Sequence, residues 1–389
     1  MHNSKLTFFS QIIHVIDSSL VKSVVAKTDA NKHSKGFPVW NQLVCMLFCH
    51  FSNSHSIRDI VNGMCSTTGN LDHINIRTLP KRSTLSYANQ HRDHEVFKEI
   101  YLKLFEKLRS GLQGPRIKFK IRSKIYLLDS TIVSLSLKVF DWALYRQRKG
   151  AMKIHTLLDY RGTMPEYLSL GEGRENDLIH AGKVPLPKGS VVVADRGYFD
   201  FDLLKKWHKD KVRFVVRGRK KMKYEVISSN ETASPGILKD QIVKLTGKSG
   251  KKKYGEPIRR IEFWDAEKEI FFILLTNVIS SWTAETVSNL YKARWEVEKF
   301  FKEIKQHVKI KSFIGTSVNA VLIQIWTAMI TLLLLKYLKA KARFGWHMSN
   351  LVSFIRFNLL VSANLYAWLN EPIFTRARGK PDSVQIDLF

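Results

Sequence analysis

The sequence predicts a mixed α/β protein with helical ends, a central mixed sheet and a β-rich insertion in that sheet. Three features lead there. Helical hydrophobic periodicity runs from the N-terminus to about residue 115. At Arg116 the texture switches to β-branched, near-alternating stretches. Helical periodicity returns after about residue 280. The expected domains are a helical DNA-binding domain over 1–115, a catalytic domain over 116–340 with its insertion at about 220–277, and a C-terminal helical region and tail over 341–389.

The elements follow in order. "NQLVCMLFCHFSN" is apolar all round and reads as a buried helix. "SHSIRDIVNGM" opens on a serine cap and ends near Gly63. "LPKRSTLSYANQHRDHEVFKEIYLKLFEKLRSGL" starts after Pro80 with bases and runs amphipathically to Gly111. A short helix, a polar connection and then a basic helix fit a helix-turn-helix arrangement, with an ordinary helical bundle as the plainer alternative.

"RIKFKIRSKIYLLDSTIVSLSL", "AMKIHTLLDYRG" and "PEYLSLGEG" read as three successive strands. "SVVVADRGYFDFDLLKKWHK" is a strand running into a helix, and "VRFVVRGRK" is a fifth strand. Four short strands follow in the insertion, with "GKSGKKKYGEP" as a basic loop between two of them. "SWTAETVSNLYKARWEVEKFFKEIKQHV" reads as one helix, started by Ser281 with Glu285 close behind. A last helical region covers 317 to about 370. No internal repeat is visible.

Charge narrows the partner. With 63 Lys+Arg against 34 Asp+Glu, the formal charge is +29. Self-repulsion of that size is relieved by a polyanion, and nucleic acid is the first choice over an anionic membrane. The 44% hydrophobic content is enough for a large core, so disorder is excluded as an overall description. The three cysteines Cys45, Cys49 and Cys65 give no disulfide framework and point to a reducing compartment. Cys45 and Cys49 are four apart beside His50, but their apolar surroundings favour packing over a metal site. The N-terminus has no signal-peptide pattern, and the apolar run Val321–Leu335 is shorter than a membrane span and contains Gln324. A cytoplasmic, nucleoid-associated protein without a membrane partner is expected.

Three carboxylates stand out. Asp129 interrupts an apolar strand, where it costs several kcal/mol unless paired, protonated or bound to a cation. An ion pair with Lys153 is one structural explanation. Asp195 lies where a buried strand ends, the place where ligands collect in α/β sheets, although a helix cap would also put an Asp there. On a helical wheel, Tyr291, Arg294, Glu298 and Lys305 fall in one stripe about 60° wide beside the apolar face. Glu296 and Glu303 fall on the far side. Spacing alone makes Glu298 a surface partner of Arg294.

Together, "LLDST", "VVADRGYFD" and "YKARWEVEKFFKEIK" resemble the three acidic motifs of DDE transposases. The spacing Tyr291, Arg294, Glu298, Lys305 resembles the YREK signature of the insertion-sequence-four branch, and the resemblance covers about residues 120–340. It implies an RNase H-like core with a β-rich insertion. It also implies Asp129, Asp195 and Glu298 as catalytic metal ligands for two Mg²⁺ ions, with Mn²⁺ able to substitute, and Asp129 bridging them. Hard cations suit carboxylate oxygens, and a pair of them can activate the nucleophile and relieve the leaving oxygen. Tyr291, Arg294 and Lys305 would contact the DNA backbone near the cleaved bond, and Arg196 would also touch phosphate. The implied partners are double-stranded DNA, as terminal inverted repeats and target, and a second copy in the synaptic complex. The implied reaction is cleavage at the element ends followed by joining to target DNA. An RNase H-like nuclease without strand transfer and a non-catalytic DNA-binding derivative are the competing functions.

Other features are less specific. Lys153 and His155 could approach the site or be structural. Trp264 or Trp282 could stack on a flipped base, with core packing favoured for each. The basic runs "RGRKKMK" and "GKSGKKK" should follow a DNA backbone. The last five residues, "QIDLF", resemble the short peptide that bacterial replication proteins insert into the sliding clamp, with Gln385 at the pocket rim and Leu388 and Phe389 in its cleft.

Overall fold

A computed structural model of the chain describes residues 6–32, 34, 36–66, 71–76, 78–79, 81–112, 121–135, 150–172, 175–232, 234–308, 310 and 312–372. They form two compact units. The first draws on both chain ends, Met1–Leu112 and Phe313–Phe389, with Gln306–Lys309; the second is Gln113–Lys305 with Ile310–Ser312. This differs from the expected division at about 340, which falls at the end of a helix that packs with the N-terminal helices.

The first unit begins with α1 (Phe8–Ile13), α2 (Ser18–Thr28), α3 (Val39–Ser52), α4 (Ile57–Cys65), α5 (Arg82–His91) and α6 (Glu95–Leu108). Ser56 caps α4, its hydroxyl accepting from the Asp59 N–H. The single amphipathic helix expected from Pro80 to Gly111 is two helices. Arg92 leaves helical geometry at ψ 128°, and its guanidinium reaches back to Gln42 and the Phe37 carbonyl. Cys45 and Cys49 are fully buried in α3 as packing residues.

The second unit holds β1 (Ile125–Leu135), β2 (Gly150–Asp159), β3 (Met164–Glu172), α7 (Asp177–Ala181), β4 (Val191–Ala194), α8 (Phe201–Lys209) and β5 (Arg213–Arg217). The expected insertion follows as β6 (Tyr224–Ser229), β7 (Ile237–Leu245), α9 (Lys248–Lys253), β8 (Ile258–Asp265) and β9 (Ile270–Thr276). The unit ends with α10 (Ala284–Ala293) and α11 (Trp295–His307). The basic loop expected between β7 and β8 contains a short helix, α9. All nine strands lie in one mixed sheet, β3-β2-β1-β4-β5-β9-β8-β7-β6. β1, β4 and β5 are parallel and the other pairs antiparallel. The insertion therefore extends the central sheet through β5 and β9.

Alternation assigns the two faces. Tyr126, Leu128, Val192, Ala194, Phe214 and Val216 pack with Leu203, Leu204 and Trp207 of α8 in one buried cluster. The intervening residues Leu127, Val193 and Val215 are equally buried on the opposite face, against whose strands α10 packs. This is the RNase H-like arrangement of a mixed sheet with helices on both faces.

The helix expected over 281–308 is broken. Thr283, not Ser281, caps α10 by accepting from the Thr286 N–H, and a single turn residue, Arg294, still with right-handed helical dihedrals, separates α10 from α11. The first unit is completed by α12 (Val318–Lys341), α13 (Met348–Phe357) and α14 (Leu365–Asn370). α12 is long and apolar enough to cross a membrane by length and composition, but most of it is buried against α3, α5 and α6. Its apolar run extends into a full 24-residue helix.

Candidate active site

The register of the parallel strands sets two of the three carboxylates. Leu127 pairs with Val193 and Leu128 with Ala194, so the next residue on each chain is Asp129 or Asp195. The two acids therefore stand at the same level at the carboxyl end of β4, Asp129 within β1, which runs on to Leu135, and Asp195 just beyond β4. Asp195 is also a cap, as its alternative reading required. Its Oδ1 accepts from the Gly197 N–H in a one-turn 3₁₀ helix, Arg196–Tyr198. Gly197 packs closely on the cap: a Cβ there would stand 3.2 Å from Asp195 Oδ1, tighter than an ordinary contact.

Glu298 arrives from α11 through Arg294. One guanidinium nitrogen of Arg294 donates to Asp129 Oδ2 at 3.0 Å and the other to Glu298 Oε1 at 2.7 Å. The Arg294–Glu298 pair expected from spacing is present, and it extends across the sheet to Asp129. Asp129 thus pairs with Arg294 and not with Lys153. Lys305 donates to Thr131 Oγ1 at 2.6 Å, two residues along β1 from Asp129. Tyr291 is buried, edge-on to Phe272 at 5.3 Å, with Arg294 near its ring. Arg196 is exposed beside Asp195.

Burial pushes the Asp129 carboxyl up to about 6; Arg294 and the Ser130 N–H oppose that shift, while Asp195 and Glu298 add to it. The three acids are therefore electrostatically coupled. Oxygen donors whose mutual repulsion falls on a half-buried carboxylate are the set that a hard divalent cation suits. Among the described residues, no three potential ligands stand close enough to hold a metal ion, and Arg294 provides the positive charge between Asp129 and Glu298.

The other predicted residues divide clearly. Glu296 pairs with Lys299 at 2.8 Å. Glu296 and Glu303 are half-buried, so the expectation that both point to solvent is corrected: Glu303 Oε2 is buried because α11 packs more of its circumference than the wheel allowed. Trp264 is 42% exposed and Trp282 half-buried, so neither fills the core as favoured. Gln385, Leu388 and Phe389 lie outside the described residues.

Sequence reasoning missed Asp177 and Ser130. Ser130 Oγ donates to Asp177 Oδ1 at 2.8 Å, and Lys153 Nζ stands 2.9 Å from the same oxygen. The signal was present in "END": Asn176 caps α7 and Asp177 occupies its first turn. It also missed Lys268, which lies 3.6 Å from the centre of the exposed Trp295 ring.

Residues 121–334 match the family described as the transposase DDE domain, and residues 4–77 match a domain of unknown function. A protein named as transposase y4zB of Sinorhizobium fredii is 30% identical over 262 residues, 66% of this chain and 71% of its own. A protein of a Synechocystis species, named as a transposase for insertion sequence element IS4SA, is 28% identical over 297 residues, 74% of this chain and 81% of its own. A cryo-EM structure of the piggyBac transposase synaptic complex with hairpin DNA aligns at a TM-score of 0.43 and 11% identity, covering 94% of this chain and 80% of that one. With the family match spanning more than half of its length, the chain belongs to the DDE transposases of insertion sequences and is a DNA transposase.

Proposed function

We propose that this transposase cuts the ends of its own insertion element and joins them to target DNA, using Asp129, Asp195 and Glu298 as its catalytic carboxylates. The observation that carries the reading is the side-by-side placement of Asp129 on β1 and Asp195 just beyond β4, with Glu298 tied to Asp129 through one guanidinium. The three acids would hold Mg²⁺ or Mn²⁺, two ions on the family pattern, and the cations would supply Lewis acidity at the scissile phosphate.

The chain's own groups account for the rest. Arg294 neutralises Asp129 and Glu298 in the metal-free protein; with cations held by the acids, its planar fork would suit a phosphate. Lys305, placed along β1 by Thr131, contacts the backbone further along the strand. In the first step a water oxygen attacks phosphorus and the 3′-oxygen leaves as a hydroxyl. In joining, that hydroxyl attacks a target phosphodiester and a target 3′-oxygen leaves. Tyr291 sets the position of Arg294 from beneath, and exposed Arg196 lies beside Asp195 to meet phosphate.

The helical unit holds the terminal repeats. α5 supports this role, since Arg82, Ser83, Ser86, Tyr87 and Gln90 are exposed along one side, with Lys81 ahead of them and no acidic residue in the helix. Two ends must be cut together, so a dimer on DNA completes the assembly. "QIDLF" docks the protein on the sliding clamp in the cytoplasm, close to the nucleoid. Purified clamp should be captured by the full chain and lost when Phe389 is deleted; unchanged capture would remove the clamp from this reading.

The main test is a cleavage and joining assay with Mg²⁺ and DNA carrying the ends that bracket the gene. Nicked ends and joined products are expected. Full activity of Asp129→Ala or Glu298→Ala protein would end the assignment, and cleavage without joined products would reduce it to a nuclease.

A further inference from the structure

We infer that Asp177 is a positioning residue of the active site, holding Asp129 and Asp195 in place from the opposite face of the sheet. The inference rests on the reading of those two acids as catalytic.

Asp129 and Thr131 meet Arg294 and Lys305 on one face of β1. Ser130 lies between them and therefore points to the other face. There its hydroxyl donates to Asp177 Oδ1 at 2.8 Å. From β2, Lys153 Nζ stands 2.9 Å and His155 Nδ1 3.4 Å from that same oxygen. His155 pairs with Ser130 across the β1–β2 ladder. One carboxylate oxygen thus joins both strands at the level of Asp129.

The other oxygen lies near the Asp195 turn. The position a Cβ would take on Gly197 is 3.2 Å from Asp195 Oδ1 and 3.6 Å from Asp177 Oδ2. Both carboxylates thus lie close to one glycine in the turn that caps Asp195. α7 packs directly on that turn. Tyr198, buried in the same turn, feels Asp177, Asp129 and Asp195 together.

Asp177 also carries a partly buried ion pair, with Lys153 at 15% and Asp177 at 23% side-chain exposure, so its loss costs stability as well. Positioning is the further effect, because the same side chain brings Lys153, Ser130 and the Asp195 turn to one point. Groups that orient metal-binding carboxylates typically cost about 10- to 100-fold in activity or metal affinity when removed.

The test uses the full chain as wild type, Asp177→Ala, Asp177→Asn, Ser130→Ala and Asp129→Ala. Three readouts are needed: cleavage of end-bearing DNA, DNA affinity, and the Mn²⁺ concentration that half-saturates the thermal shift without DNA. Asp177→Ala is expected to lose about 10- to 100-fold in cleavage and to need several-fold more Mn²⁺. DNA affinity should stay within about twofold, because Asp177 meets no phosphate in this scheme. Asp177→Asn, which keeps an acceptor for Ser130, should recover part of the loss. Ser130→Ala should show the same losses to a smaller degree, and it provides the test if Asp177→Ala does not fold. An inactive Asp129→Ala protein beside Asp177→Ala and Ser130→Ala proteins within about twofold of wild type in cleavage and Mn²⁺ midpoint would overturn this inference alone. Full cleavage by Asp129→Ala would overturn it together with the site reading.

Discussion

Arg294 reaches from the turn between α10 and α11 to donate to Asp129 at 3.0 Å, across 165 residues of sequence. The pair is largely buried, at 12% and 19% side-chain exposure, and Glu298 shares the same guanidinium. Removing one member of such a pair leaves the other charge uncompensated. Arg294→Ala should therefore lower metal-free stability by about 3 kcal/mol. Mg²⁺ should restore part of the loss by taking over the positive charge. Thermal melts in EDTA and in MgCl₂ measure both effects; equal losses in the two buffers would contradict the exchange of arginine for cation.

Asp129 gives a pH signature. Its folded-state value lies at about 6, against an ordinary carboxylate value of about 3.9. A raised value means that the folded protein binds the proton more tightly than the unfolded chain. Stability from this group is therefore present at low pH and is lost as pH rises through about 4 to 6. Asp129→Asn abolishes that loss and, unlike Arg294→Ala, leaves no lone buried charge, because Arg294 keeps Glu298 as its partner. The metal-free variant should be more stable than wild type by on the order of 2 kcal/mol at pH 8, with the gap closing towards pH 4. Denaturant titrations at several pH values in EDTA check it, and a gap that does not change with pH would refute it.

The glutamates of α11 form an internal comparison. Glu298→Gln should lose several kcal/mol of transition-state stabilisation, about 10³-fold in cleavage rate. Glu296→Gln breaks the pair between half-buried Glu296 and exposed Lys299, away from Asp129, and should leave the rate within about twofold. Single-turnover cleavage with pre-bound DNA separates them. Comparable losses in both variants would remove Glu298 from the proposed site.

The insertion carries a basic rim. Lys220, Lys221, Lys223, Lys251 and Lys252 are exposed. If they follow the DNA backbone, each neutralised phosphate contact should reduce the slope of log affinity against log salt by about 0.9. Replacing Lys220, Lys221 and Lys223 with Gln should flatten that slope without changing preference among duplex sequences. An unaltered slope in titrations between 50 and 200 mM salt, the range of about 10³–10⁵ loss for 6–10 contacts, would exclude this rim from the interface.

The strands were legible because each is short and bounded by Gly, Asn or Lys turns, as in β6 to β9. Asp129 was legible because a charge in "IYLLDSTIV" conflicts with its apolar neighbours. Less visible were the breaks at Arg92 and Arg294. Both occur in stretches of unbroken helical periodicity: the backbone turns extended at Arg92, and one turn residue interrupts the pattern at Arg294, neither of which local spacing marks. Asp177 was missed for a related reason. It sits in a polar segment where an acid is unremarkable until β1, β2 and the Asp195 turn converge on it. The insertion's continuity with the central sheet depends on the β5–β9 pairing, a long-range choice that local pattern leaves open.

The helical unit is closed by α12, which packs on α3, α5 and α6 although more than 200 residues separate it from them. During synthesis, the N-terminal helices leave the ribosome first and must wait for the last quarter of the chain to cover their apolar faces. A prematurely terminated product would therefore expose those faces and be a substrate for proteolysis rather than a free competitor for the element's ends.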